Sequence, residues 1–189
     1  GVERTPLRGM LGTRASGLAE IRFQECRLPS GHLLARPGFG FPVVSSALDL
    51  GRFSVAWGCV GLGQACLEAS LAYTSSRQQF GRPLAGHQLV QGMVADMLVG
   101  VRASRLLCLQ AAASRAVGHP GSVLDTLVAK YHASTMAMQA ARDAVQLHGA
   151  NGCSADYPVS RYLRDAKTME IIEGTSQVLQ GLIAGQLGA

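Results

Sequence analysis

Glu173 stands in the stretch RDAKTMEIIEGTSQ, residues 164–177, after Ile171 and Ile172 and before Gly174. A carboxylate beside a greasy turn loses part of its hydration. That favours proton uptake and suits the group to general-base work near neutral pH. Gly174 can turn sharply and let a ligand come close to the backbone. Thr175 can cap a following helix, whose free N–H groups attract an anion. The plainer alternative is a solvated Glu at a helix break. Arg77 and Gln88 bracket a Gly- and Pro-containing loop, QQFGRPLAGHQ, and a guanidinium suits bidentate phosphate contact. The plainer alternative there is a surface arginine. QLHGANG, residues 146–152, is a Gly-rich turn that serves equally well as a helix stop. The histidines are isolated from one another and none has the spacing of a metal set, so no metal is expected. No serine sits in a Gly-x-Ser-x-Gly elbow.

The elements that must position these residues are mostly helical. From about residue 43 the apolar period is that of a helix, opening with Ser46 and Asp49 at capping-box spacing and running about thirty residues. Gly58, Gly61 and Gly63 lie inside it, where each costs a helix about 1 kcal/mol against Ala. They would admit either a close neighbouring helix or a flat ligand. A second helix is predicted over about 88–117, ended by Gly118-His119-Pro120-Gly121, and a third over about 122–148, capped by Ser122 and Asp125. Two shorter helices, about 159–171 and 175–187, flank Glu173-Gly174-Thr175. Long helices joined by short turns predict an antiparallel bundle over residues 41–189. Residues 1–40 read differently, with alternation at Ala19, Ile21, Phe23 and Cys26 and a break at Pro29-Ser30-Gly31. One or two strands are not stable alone, so they either pair with something else or form an arm on the helices.

Composition bounds the class. Of 189 residues 48% are hydrophobic, 15% charged and only 5% aromatic, which is ample for an alanine-rich helical core and too apolar for disorder. Lys+Arg 17 against Asp+Glu 12 gives +5, without a basic run, so nucleic acid is not an expected partner and a mild attraction for phosphate-bearing ligands is. The five cysteines are odd in number and form no Cys-x-x-Cys pair; Cys59, Cys66 and Cys108 fall in helical patterns as small buried hydrophobes. A reducing cytoplasm fits. No secretory signal and no uninterrupted apolar run of about 18 residues is visible, so a soluble protein with no membrane partner is expected.

Three motifs then carry a resemblance. YTSSRQQFGRPLAGHQ resembles the Tyr-x-x-x-Arg-x-x-Phe-Gly-x-Pro-Leu-x-x-x-Gln stretch of the acyl-CoA dehydrogenase family, QLHGANG its Gln-x-x-Gly-Gly-x-Gly loop, and YPVSRYLRDAKTMEIIEGTSQV its C-terminal signature. They occur in the family's order and cover the chain from about Met10 onward. The resemblance implies a mainly α fold: the family's C-terminal four-helix bundle over residues 41–189, with the last strands of its middle β-barrel over 1–40. It also implies that the first domain and most of the barrel lie outside this sequence, which would then be a fragment of a longer polypeptide and inactive alone, since the flavin ring would rest largely on the barrel.

By the resemblance, Glu173 is the base that removes the α-proton of an acyl thioester while hydride passes from the β-carbon to FAD. Its backbone N–H would help hold the thioester carbonyl. Some members carry the base before the Arg of a Leu-Asp-x-Glu-Arg pattern; this chain has LDLGR, with Gly51 there, which closes that alternative. Arg52 matches an Arg near the substrate, and Gly174 would give the substrate room. Arg77, Phe80, Gln88, Gln146, Gly149, Ala150 and Gly152 match contacts to the FAD of a neighbouring subunit, and Thr175 and Gln177 contacts to the subunit's own FAD. Ala150 departs from the usual second Gly, and its methyl would crowd a cofactor. Shared sites imply a homo-oligomer, a dimer or tetramer; the electron-transfer partner is not indicated. SVAWGCVG, FGRPLAGHQLV and MEIIEG further resemble members that oxidise small acyl groups on an acyl carrier protein in polyketide or peptide assembly. The alternatives are an acyl-CoA dehydrogenase of fatty or amino acid catabolism and a non-catalytic oligomerisation bundle.

Overall fold

The computed structural model describes residues 1–188. Three long helices carry it: α1 (Gly40–Ser76), α2 (Gln88–Ala116) and α3 (Ser122–His148). Two short ones, α4 (Val159–Met169) and α5 (Ser176–Gln186), pack on them, α4 against α3 and α1 and α5 against α3. The chain runs up, down and up. Arg115 near the end of α2 binds Asp49 near the start of α1, while Tyr73 stacks on His148 close to the C-termini of both α1 and α3.

The core is built from small side chains, as the composition predicts. Ala129, Ala133, Ala137, Ala140 and Ala144 make a buried stripe on α3 that meets Cys59, Val60, Cys66 and Leu67 of α1 and Met97, Val101 and Cys108 of α2. Burial holds Cys59 and Cys66 in the thiol form, each pushed up to about 12, and Cys108 to about 11. Gly63 serves close packing: a Cβ there would stand 2.7 Å from Met136 Sδ and 3.1 Å from Val101 Cγ2. Gly58 and Gly61 face open space, so helix packing does not explain them.

Both predicted capping boxes fail, for one reason. α1 begins at Gly40, ahead of Ser46, with Pro42 in its first turn, where a missing N–H costs nothing. α3 begins at Ser122 itself, behind Gly121, without a side-chain cap. Asp49 and Asp125 are taken by tertiary partners instead, Asp49 by Arg115 and Asp125 by the Ser114 hydroxyl. Arg115 also donates to Thr126 and lies over the Phe53 ring, so this group of side chains ties the start of α1, the end of α2 and the start of α3.

By length and composition α1 is apolar enough to cross a membrane, a property the run-length reading of the sequence missed. In this fold its apolar face, with Ala56, Cys59, Val60, Cys66 and Leu67, lines the bundle core.

Residues 1–39 form an arm. β1 (Val2–Pro6) and β2 (Ala19–Phe23) pair as an antiparallel hairpin whose faces are largely exposed, Ile21 and Phe23 included. The arm docks on α4 where the Thr13 N–H donates to Asp165 Oδ1 at 2.7 Å. Gly12 lies so near α4 that a Cβ would stand 2.7 Å from Thr168 Oγ1.

Candidate active site and cofactor cleft

Glu173 and Gly174 form the bend between α4 and α5, and both have positive φ, +57° and +102°. For Gly174 that conformation is inexpensive; for Glu173 it costs on the order of 1–3 kcal/mol and must be held by its surroundings. Two cations hold it. Arg52 Nε of α1 donates to the Glu173 carbonyl at 2.9 Å, and Lys130 Nζ of α3 donates to the Gly174 carbonyl at 2.7 Å. Thr175 caps α5, its hydroxyl accepting from the Val178 N–H at 3.3 Å, as its position predicts. Among the described residues, the N–H groups of Glu173, Gly174 and Thr175 have no acceptor in the chain. A trans peptide points its N–H opposite its C=O. Holding the two carbonyls against the bundle therefore turns the Gly174 and Thr175 N–H groups away from it.

The Glu173 carboxylate lies over Gly51. A Cβ built there would stand 2.5 Å from both the carboxyl carbon and Oε2. Oε2 is buried and has no hydrogen-bond partner. An unpaired buried carboxylate oxygen is costly, and it offers an acceptor to whatever enters. Of the two isoleucines expected to desolvate it, Ile171 is exposed and Ile172 half-buried, and the Gly51 face of α1 covers the carboxylate. Arg52, expected near a substrate, spends its Nε on the Glu173 carbonyl.

At the far end of the bundle, Arg77, Gln146, Gly149 and Ala150 line one cleft of about 230 Å³ with Tyr73, Leu84 and His148. The sequence-predicted loop and arginine thus meet. Its floor is an aromatic group: Tyr73 stacks on His148 at 4.2 Å between centroids, Tyr157 meets both edge-on, and Asn151 donates to both tyrosine hydroxyls. The Arg77 guanidinium is in no ion pair among the described residues. Beside the cleft, β3 (Gln78–Gln79) and β4 (Arg82–Pro83) form a tight hairpin whose two-residue turn is Phe80-Gly81, with φ +52° and +76°, the sign pattern of a type I′ turn. Phe80 is 92% exposed. Held at positive φ with its ring largely in water, Phe80 meets the chain in an edge-on contact with the His87 ring, 6.0 Å between centroids. Gln88 opens α2 nearby, exposed, and Gln177 is exposed on α5.

Gly149, at φ +58°, ends α3 and is open to the cleft. Ala150 has ordinary backbone geometry and is exposed, so its methyl strains nothing here. Gly152 differs from both: it is buried, and a Cβ would stand 2.5 Å from the Val145 carbonyl oxygen. Its place is beneath the turn, where it allows close packing on α3. No metal set of three His, Cys, Asp or Glu side chains gathers among the described residues.

Sequence reasoning missed Lys130 and the part played by Gly51. Lys130 is the only charged residue among the buried residues of α3, on the stripe with Leu127, Ala133 and Ala137. That misfit was visible in the sequence.

Residues 38–188 match the acyl-CoA dehydrogenase C-terminal domain family. The chain belongs to that family. It is 40% identical over 179 residues to the glutaryl-CoA dehydrogenase of Desulfococcus multivorans, covering 94% of this chain and 46% of that protein. The butyryl-CoA dehydrogenase structure from Megasphaera elsdenii superposes with a TM-score of 0.96 at 35% identity over 100% of this chain and 49% of that one. The structure of FkbI, described as acting in biosynthesis of the methoxymalonyl extender unit of the polyketide Fk520, gives 0.87 at 37% identity over 99% and 51%. The chain thus spans about half the length of these acyl-CoA dehydrogenase relatives, and the mainly helical bundle with few N-terminal strands is the family's C-terminal fold.

Proposed function

We propose that this chain is the base-bearing half of an FAD-dependent acyl-thioester dehydrogenase. The observation that carries the reading is the Glu173 bend: a strained carboxylate with a buried, unpartnered oxygen, beside N–H groups that no chain acceptor uses. Glu173 takes the α-proton of the acyl group. Free N–H groups at the bend, that of Glu173 first, donate to no acceptor in the chain and so can donate to the thioester carbonyl, stabilising negative charge as it develops there. Gly51 leaves the space the carboxylate occupies, so a base rooted at position 51 and a base at Glu173 exclude one another. Bound FAD would supply the acceptor for the β-hydride.

The residues present fit that cofactor at two places. Arg77, with its unpaired guanidinium, and Gln146, Gly149 and Ala150 would hold phosphate and adenosine in the cleft; Phe80 and Gln88 do not line it and would meet the cofactor from the hairpin and the start of α2. Thr175 and Gln177 would meet a cofactor beside Glu173. Gly51 and Arg77 are separated by roughly 39 Å of helix, at about 1.5 Å per residue. That is too far for one cofactor molecule to touch both places. That separation supports a reading with two cofactors per chain, each shared with another subunit, and a homo-oligomer as the working form. The exposed hairpin face with Ile21 and Phe23 suits pairing with further strands of a barrel domain. The division at residue 40 is part of this proposal, as is a cytoplasmic setting.

For the substrate we propose a small acyl group carried on an acyl carrier protein, as in extender-unit or peptide natural-product assembly. The similarity to FkbI supports it. The similarity to butyryl-CoA dehydrogenase, with the higher TM-score of 0.96 against 0.87 at 35% against 37% identity, favours a second reading, oxidation of acyl-CoA in catabolism. The full-length protein loaded with FAD, mixed anaerobically with short acyl thioesters on either carrier, separates them. Flavin bleaching by carrier-protein thioesters is expected. Bleaching by CoA thioesters alone selects the catabolic reading, and bleaching by neither leaves only a bundle that holds subunits together.

A further inference from the structure

Lys130 is fully buried, yet no carboxylate lies within ion-pair distance among the described residues. Its single hydrogen bond goes to the Gly174 carbonyl at 2.7 Å. A buried ammonium with one neutral partner is expensive to keep; burial pushes Lys130 below the usual lysine value, with Arg52 adding to the shift and Cys59, Glu170 and Glu173 opposing it. An apolar residue would pack this alanine-lined stripe at lower cost, so the charge answers a need outside core stability. The groups it reaches are the backbone of the bend and, through it, Glu173.

We propose that Lys130 is a positioning residue for proton abstraction. By holding the Gly174 carbonyl it turns the 174–175 peptide so that the Thr175 N–H faces outward, and together with Arg52 it fixes Glu173 at positive φ with the carboxylate over Gly51. Lys130 is fully buried, so it acts through the bend rather than on the substrate itself. The two act from opposite helices on consecutive carbonyls, which leaves the bend no freedom to flip. The inference rests on Glu173 being the base.

The test isolates proton abstraction from hydride transfer. An acetyl thioester has no β-hydrogen, so uptake of deuterium at its α-carbon from D2O reports the base alone. With the full-length, FAD-loaded protein and acetyl groups on CoA and on carrier protein, Lys130→Met is expected to lower the saturating exchange rate about 100-fold, the cost of displacing a catalytic group by about 1 Å. KM and the flavin spectrum stay unchanged. Lys130→Gln, which keeps a donor, is expected to lose about 10-fold, and it carries the comparison if the Met variant does not fold. A residue that served stability alone would lower the melting temperature of both variants and leave their saturating rate at the wild-type value; that result overturns the proposal. Exchange absent from the wild type, or surviving Glu173→Gln, overturns the base assignment and the Lys130 role with it.

Discussion

The two ends of α1 are built on opposite plans. At Gly51 everything is closed: a carboxylate fills the place of a missing side chain, two cations grip consecutive carbonyls, and the backbone is strained. At Arg77 the side chains are open: a guanidinium without an ion-pair partner, a phenyl ring in water, and a cleft over a rigid aromatic floor. Proton abstraction needs a group held to within fractions of an ångström before the substrate arrives. Holding a cofactor's charged end needs donors left free until it arrives. The closed end finishes its work inside the chain, whereas the open end waits for a molecule from outside.

Gly51→Ala breaks the closed end most directly. The added methyl overlaps the Glu173 carboxylate, and turnover is expected to fall about 100-fold or more in the full-length enzyme, while Gly58→Ala, facing open space, leaves turnover near wild type. Steady-state kinetics on both variants read this. Arg77→Ala tests the open end. Loss of a charge-assisted contact worth about 1.5–3 kcal/mol should weaken FAD retention roughly 10- to 100-fold, with little change in apo-protein melting temperature because Arg77 is exposed. Equilibrium dialysis against FAD, with thermal melts alongside, would show it.

The smallest effect concerns the floor of the cleft. Burial lowers His148 from its ordinary value near 6.5, with the hydrogen bond to the Ala144 carbonyl opposing the shift. The folded state prefers neutral imidazole. This contribution to stability is therefore complete above about pH 6.5 and is lost as pH falls through the lowered folded value. Melting temperature measured from pH 7 to 5 should fall more steeply for the wild type than for His148→Phe, which keeps the stack on Tyr73 without the titration.

How far the sequence shows these two ends follows the same division. The bundle was legible, with the predicted 88–117 and 122–148 matching α2 and α3 within a residue, because a long apolar period and Gly or Pro stops are local signals. Arg77, Gln146 and the Gly149 turn were legible as separate motifs, but their meeting in one cleft depends on α1 and α3 ending side by side. The capping boxes misled because Asp49 and Asp125 have tertiary partners stronger than a local N–H. Gly152 reads from the sequence as a cofactor glycine, and its close packing beneath the turn was not legible there. The Lys130 grip and the fit of Glu173 into Gly51 join residues far apart in sequence, and only the assembled fold brings them together.

The central claim is that Glu173 is the base, and single-turnover flavin reduction tests it most directly. Full-length Glu173→Gln should purify yellow, since its neighbours still hold the bend and the cleft is untouched. It should resist bleaching by the thioester that bleaches the wild type, with a rate lower by about 10²- to 10⁴-fold. Bleaching of the Gln variant at the wild-type rate would contradict the account.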